Sequence, residues 1–144
     1  AGGADGEIRL GYLAKRIGSL KSVFGVAMLK MSEQQRFETI RRLVRDWVDN
    51  NRAALARQGG EVEEHEGADW DGAAFYTATC LLPHCVARVV VTMPAFHPFR
   101  FVGMEALSAE TGDCLLNWHD GDGWATDETI QTALRHLQDI LLAG

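Results

Sequence analysis

The sequence predicts an α+β fold: an N-terminal helix, an antiparallel sheet of about five strands and a C-terminal helix, with the helices packed on one sheet face. Three observations predict it. Apolar residues recur at three- and four-residue steps from Phe37 to Leu55. The period then shortens to two between Glu61 and His119, broken by turn residues. Helical spacing returns from Ile130 to Leu141. A helix, a run of strands and a second helix make a layered domain in which one sheet face is covered.

At 144 residues, 47% of them apolar, the chain fits one globular domain with a sizeable core. The division expected is a basic amphipathic extension over residues 1–30 and a single domain over 31–144. In the first part Ile8, Tyr12, Leu13, Ile17, Leu20 and Phe24 fall near helical spacing, but Gly11, Gly18 and Gly25 each weaken a helix by about 1 kcal/mol relative to alanine. Ser32 and Gln35 then form a capping-box signature, so a fresh helix is expected to start there. Phe37, Ile40, Val44, Trp47, Val48 and Leu55 give its apolar stripe, and Gly59 with Gly60 its stop. "GEVEEHE", "AAFYTATCLL", "VARVVVTM", "FRFVGMEALS" and "DCLLNWH" read as strands. "PHC" joins the second to the third, and "AETG", with Gly112 at a left-handed position, joins the fourth to the fifth. Thr126 caps the last helix, whose first turn carries Asp127 and Glu128 and whose stripe is Ile130, Leu134, Leu137 and Leu141. Of the two tryptophans near its start, Trp118 ends a strand and is expected in the core.

Net charge is -6. Residues 1–30 hold five Lys/Arg against two acids, a surplus of +3, which leaves -9 for the remainder. This balance argues against nucleic acid, whose phosphates need clustered cations, and favours a basic protein partner. No apolar run reaches the ~18 residues of a membrane span, and no secretory leader is visible. The three cysteines, Cys80, Cys85 and Cys114, lack a CxxC pair and read as reduced thiols of a cytoplasmic protein.

Candidate sites are few. "HDGDG" contains His119, Asp120 and Asp122, but an EF-hand register starting at Asp120 fails at Trp124, Ala125 and Gln131. His119 has no His or Cys at zinc-ligand spacing, so the segment reads as an acidic loop bracketed by Trp118 and Trp124. "EVEEHEGADWD" gathers Glu61, Glu63, Glu64, Glu66, Asp69 and Asp71. One reading is a charged edge strand that resists pairing with other chains. The compatible second reading is a surface that steers and binds a basic cleft, with Glu105 extending it. In "PAFHPF" two prolines stiffen the segment around Phe96, which either anchors a partner or folds over the core. Cys80, His84 and Cys85 would be a nucleophile pair only if thiol, base and oxyanion donors converged. No GxGxxG, GxSxG, HExxH or phosphate loop occurs. No cofactor, metal or catalytic residue is expected, and the chain reads as a binding protein, monomeric or a weak dimer.

The stretch "FETIRRLVRDWVDNNRAALARQGGEVE" with Trp47 and Asn50-Asn51, the central strand "VARVVVT", the hairpin "FVGMEALSAETGDCLLNWH" and "DGWATDETIQTALRHLQDIL" together resemble the TriTu type of bacterial immunity protein. The resemblance spans roughly residues 36–142, and "PAFHPF" and residues 1–30 depart from it. It implies a small acidic cytoplasmic protein that neutralises a cognate polymorphic toxin, in that family an ADP-ribosyltransferase acting on elongation factor Tu. The partner-binding residues expected on the reading above are Glu61, Glu63, Glu64, Glu66, Asp69, Asp71, Phe96, Glu105, Asp120, Asp122 and Trp124. Two other functions fit the bulk properties. A type III-like secretion chaperone would expose long apolar grooves, and a small metal-dependent hydrolase would gather His119, Asp120, Asp122 and His84 in one pocket.

Overall fold

A computed structural model describes the backbone of residues 19–93, 101–121 and 125–143, and side chains within those ranges from residue 32 onward. Helix α1 spans Ser19–Arg57. Strands β1 (Glu61–Ala68), β2 (Ala74–Leu81), β3 (Cys85–Thr92), β4 (Val102–Ser108) and β5 (Cys114–His119) follow, and helix α2 spans Asp127–Leu142. The five strands form one antiparallel meander in the order β1-β2-β3-β4-β5, so the expected helix, five-strand sheet and helix are all present.

One expectation fails at the start of the domain. The helix does not begin at Ser32; α1 runs through it without interruption for 39 residues. Ala27, Met28, Leu29, Lys30 and Met31 are strong helix formers, and a single serine inside a helix costs only a few tenths of a kcal/mol, so a cap signature here has no end to cap. α1 thereby crosses the boundary drawn between residues 30 and 31. Residues 1–18 lie outside the described residues. At its other end α1 stops as expected: Gly59 takes a left-handed φ of +78°, and its N–H donates to the Ala56 carbonyl at 3.0 Å.

Pairing places every second strand residue on the helix-covered face. Tyr76, Ala78 and Cys80 of β2 stand opposite Val91, Val89 and Ala87 of β3, which face Val102, Met104 and Ala106 of β4. All nine are buried. Phe37, Ile40, Val44, Trp47, Val48 and Leu55 of α1 close over them with Ile130, Ala133, Leu134, Leu137 and Leu141 of α2. Leu116 and Trp118 of β5 are partly buried against this core, as expected for Trp118. Asn51, only 7% exposed, is accommodated because its side-chain amide donates to the Trp47 carbonyl one turn back at 2.8 Å.

Besides the shared core, polar contacts among the described residues tie α1 to α2 and to the segment that leads into it. Arg36 of α1 pairs with Asp127 at the start of α2 and also reaches the Ala125 carbonyl. At the far end Gln58 Nε2 donates to the Leu142 carbonyl at 3.0 Å. Thr126 caps α2 through Thr129 N–H to its Oγ1 at 3.1 Å. In the β4–β5 hairpin Gly112 adopts φ +77°, the left-handed position expected of it.

Candidate protein-binding surface

The acidic run of β1 is sorted by the strand itself. Its residues alternate between two faces. Val62, Glu64 and Glu66 pair with Cys80, Ala78 and Tyr76, whose side chains lie on the helix-covered face. Glu61, Glu63 and His65 therefore stand on the outer face, the one turned away from the helices. The two sets have different partners. Arg52 of α1 pairs with Glu64, which also accepts from the Tyr76 hydroxyl at 2.6 Å. Arg45, two turns earlier on α1, pairs with Glu66 at 3.1 Å and lies over the Tyr76 ring at 5.6 Å. Glu64 and Glu66 thus fasten the edge strand to the helix. Glu61 and Glu63 are exposed and make no ion pair among the described residues.

The strand runs into the Asp69–Ala73 turn. The Asp69 carboxylate accepts from the backbone N–H groups of Asp71 at 2.9 Å and Ala73 at 3.0 Å. Its backbone N–H meets the Ala73 carbonyl, and its own carbonyl accepts from Gly72. These four bonds fix the turn, as aspartate does when it bonds backbone two residues on. Between Asp69 and Asp71 stands Trp70, 94% exposed. Asp71 shares the exposed tip. The arrangement is an indole held away from the domain on a braced acidic hairpin.

Two other connections leave from the same end of the sheet. Met93, which precedes residues 94–100, donates to the Ala74 carbonyl at 3.2 Å, beside the Trp70 turn. Asp120, at the exit of β5, donates its N–H to the Val102 carbonyl at 3.2 Å, and its carboxylate accepts from Phe101 N–H at 3.0 Å. Asp120 therefore clasps the start of β4 to the end of β5. Phe96, Asp122 and Trp124 lie outside the described residues. Glu105 is exposed on the outer face of β4, next to Arg88 of β3 and Asn117 of β5. It borders a shallow hollow of about 230 Å³ that Arg88, Val90, Gly103 and His119 also line.

The other chemistry-bearing groups do not gather. Among the described residues no three His, Cys, Asp or Glu side chains stand together in a way that could hold a metal. The His84 ring is placed 3.2 Å from the Ile140 carbonyl oxygen. Cys80 and Cys85 are buried, while Cys114 is exposed. Burial pushes the Cys80 thiol from its ordinary 9.0 up to about 11, with the neighbouring Cys85 adding to the rise, and burial also raises Cys85. Thiols held protonated in this way are poor nucleophiles.

The same shift has a consequence for stability. The neutral Cys80 thiol supports the fold fully below pH 9, and the support is lost as pH rises through 11. In that window the unfolded chain releases the proton and the folded chain keeps it, so stability declines by about 2 to 3 kcal/mol. Burial also raises Tyr76, aided by its hydrogen bond to Glu64, and this extends the decline above pH 10. Urea unfolding between pH 8 and 11 is expected to show this loss, and Cys80→Ala to flatten its lower half. An equal slope in the variant would show that burial of this thiol is not the cause.

Trp70 is the feature that sequence reasoning passed over. The sequence offered a partial signal: "DWDG" puts a tryptophan among turn-forming residues, at a connection between two strands. No protein-family model matches the chain, and neither a curated protein nor a solved structure does. Among the described residues no helix is long and apolar enough to cross a membrane.

Proposed function

We propose that this chain is an immunity-type protein, a stoichiometric cytoplasmic inhibitor that binds and occludes a cognate bacterial toxin domain. An ADP-ribosyltransferase is the toxin class that the sequence resemblance favours. The observation that carries the reading is Trp70, almost wholly exposed on a turn fixed by four hydrogen bonds and flanked by carboxylates. Leaving an indole in water forgoes the burial of a large apolar side chain, and tryptophan is the residue most enriched at interface hot spots. A rigid mount also lowers the entropy lost on docking. Glu61, Glu63 and Asp71 carry charge that no arginine of this chain neutralises among the described residues. They steer a basic cleft toward the indole, in keeping with the net charge of -6. Inhibition by this route involves no turnover.

The test is to look for a toxin domain in the reading frame immediately upstream and to co-express the chain with it; the absence of such a frame would count against the reading. Growth should be restored, and the two should purify as a one-to-one complex. The double reversal Glu63→Lys/Asp71→Lys should slow association roughly tenfold at low salt and flatten its salt dependence. These two positions suit the purpose, because reversal at Glu64 or Asp120 would break contacts that hold the fold. Association indifferent to both the reversal and added salt would rule out the acidic face as the recognition surface.

A further inference from the structure

The two edges of the sheet differ in kind. β1 carries four glutamates in eight residues and is tied to α1 by two arginines, which discourages a further strand. β5, at the opposite edge, reads "CLLNWH", with no Asp, Glu, Lys, Arg or Pro. Its backbone polarity follows from the register. Asp120 N–H donates to Val102, so Trp118 with Met104 and Leu116 with Ala106 are the bonded pairs of the ladder. The N–H and C=O groups of Asn117 and His119 consequently point away from β4, and they have no partner among the described residues. Beside this edge, on the helix side, runs a groove of about 370 Å³ between β5 and α2. Leu116 and Trp118 line it from the strand, and Thr129, Thr132, Ala133 and His136 from the helix. Glu128 borders it and makes no ion pair among the described residues.

We propose that this edge and groove receive an extended segment of another protein, which joins the sheet as a sixth strand. Unpaired strand-edge donors and acceptors in alternation are matched by extended backbone, and a groove between an edge strand and a helix seats every second side chain. Leu116, Trp118 and Ala133 select apolar side chains there, and Glu128 selects a basic residue at its end of the groove. Charge favours a basic segment of another protein over a second copy of this chain, whose own β5 offers Glu128 no Lys or Arg and whose net charge is -6. This surface lies at the opposite edge of the sheet from β1 and does not depend on Trp70.

The probe is a short fluorescein-labelled peptide of alternating valine and threonine with a lysine at each end. In a sixth strand antiparallel to β5, as every other pair in this sheet is, residues paired with Asn117 and His119 point their side chains to the outer face, so the bound threonines present their N–H groups to β5 and the valines enter the groove. N-methylation of the threonines should abolish binding, and N-methylation of the valines should leave it intact. Asn117→Pro removes only an outward N–H, a position where an edge strand accepts proline, and should weaken binding roughly tenfold. Thr132→Trp fills the groove from an exposed helix position and should do the same, which keeps the test sound if the proline variant fails to fold. Trp70→Ala should leave peptide binding unchanged, so this result stands or falls apart from the toxin reading. Three outcomes overturn the proposal. They are no saturable binding, binding that tolerates both methylation patterns, and self-association that Asn117→Pro disperses, which would assign the edge to a second copy.

Discussion

Trp70→Ala is expected to weaken binding to the partner by about 30- to 100-fold, the 2 to 3 kcal/mol of an interface hot spot. Stability should stay within about 0.5 kcal/mol of the parent, because the indole is 94% exposed and packs on nothing that its loss would uncover. That separation is what makes the experiment informative. Most large effects on binding are confounded by partial unfolding, and here the two measurements, calorimetric affinity and urea midpoint, should part company. The loss should appear chiefly as faster dissociation, since an apolar anchor acts after encounter while Glu63 and Asp71 act before it. Trp70→Phe should recover much of the affinity if burial of an aromatic surface is the main contribution. Unchanged affinity in Trp70→Ala would leave the exposed indole without a role and remove the main support for the proposed inhibitory function.

Tyr76→Ala is expected to cost about 3 to 5 kcal/mol of folding stability, the range for deleting a large aromatic from a core. Tyr76 is among the largest fully buried side chains, and it joins all three layers of the edge. Its ring faces the core and lies under Arg45 of α1, and its hydroxyl reaches Glu64 of β1 at 2.6 Å. Truncation leaves a cavity and also frees Glu64 and Arg45 from a shared partner. Tyr76→Phe keeps the ring and removes only the hydroxyl, so about 1.5 to 3 kcal/mol is expected, the scale of a hydrogen bond to a charged group. If the two substitutions cost the same, the hydroxyl network rather than ring burial would be holding β1 in place. Amide exchange should localise the damage to Glu61–Ala68, since that strand has a neighbour in the sheet on one side only.

The fold was legible wherever side-chain period carried it. The alternation of "FYTATC" against "VARVVV" assigns both strands and their buried faces, because one face must leave water. Thr126 and Gly112 act locally, and both behave as their residue types dictate. Ser32 misled because a cap signature describes a possible helix end, and tertiary context decides whether the end is used. The candidate site was less legible for a different reason. Sequence counts the carboxylates of residues 61–71 as one run, but a strand sends neighbours to opposite faces. Arg45 and Arg52, many residues away, then take the half that faces inward. Asp69 and Asp120 were readable as acids, yet their bonds to backbone N–H groups depend on turn geometry that composition does not encode. Trp70 was overlooked because exposure is a property of the turn, while tryptophan in isolation suggests a core.

The division of labour along β1 bears on how such a surface changes over time. Glu64 and Glu66 are committed to the architecture, so a lineage that altered them would first have to survive a weakened edge. Glu61, Glu63 and Trp70 are under no such constraint. A domain built this way can vary its outward surface by substitutions at alternate positions of a single strand and at its tip, while the ion pairs that hold the strand to α1 stay in place.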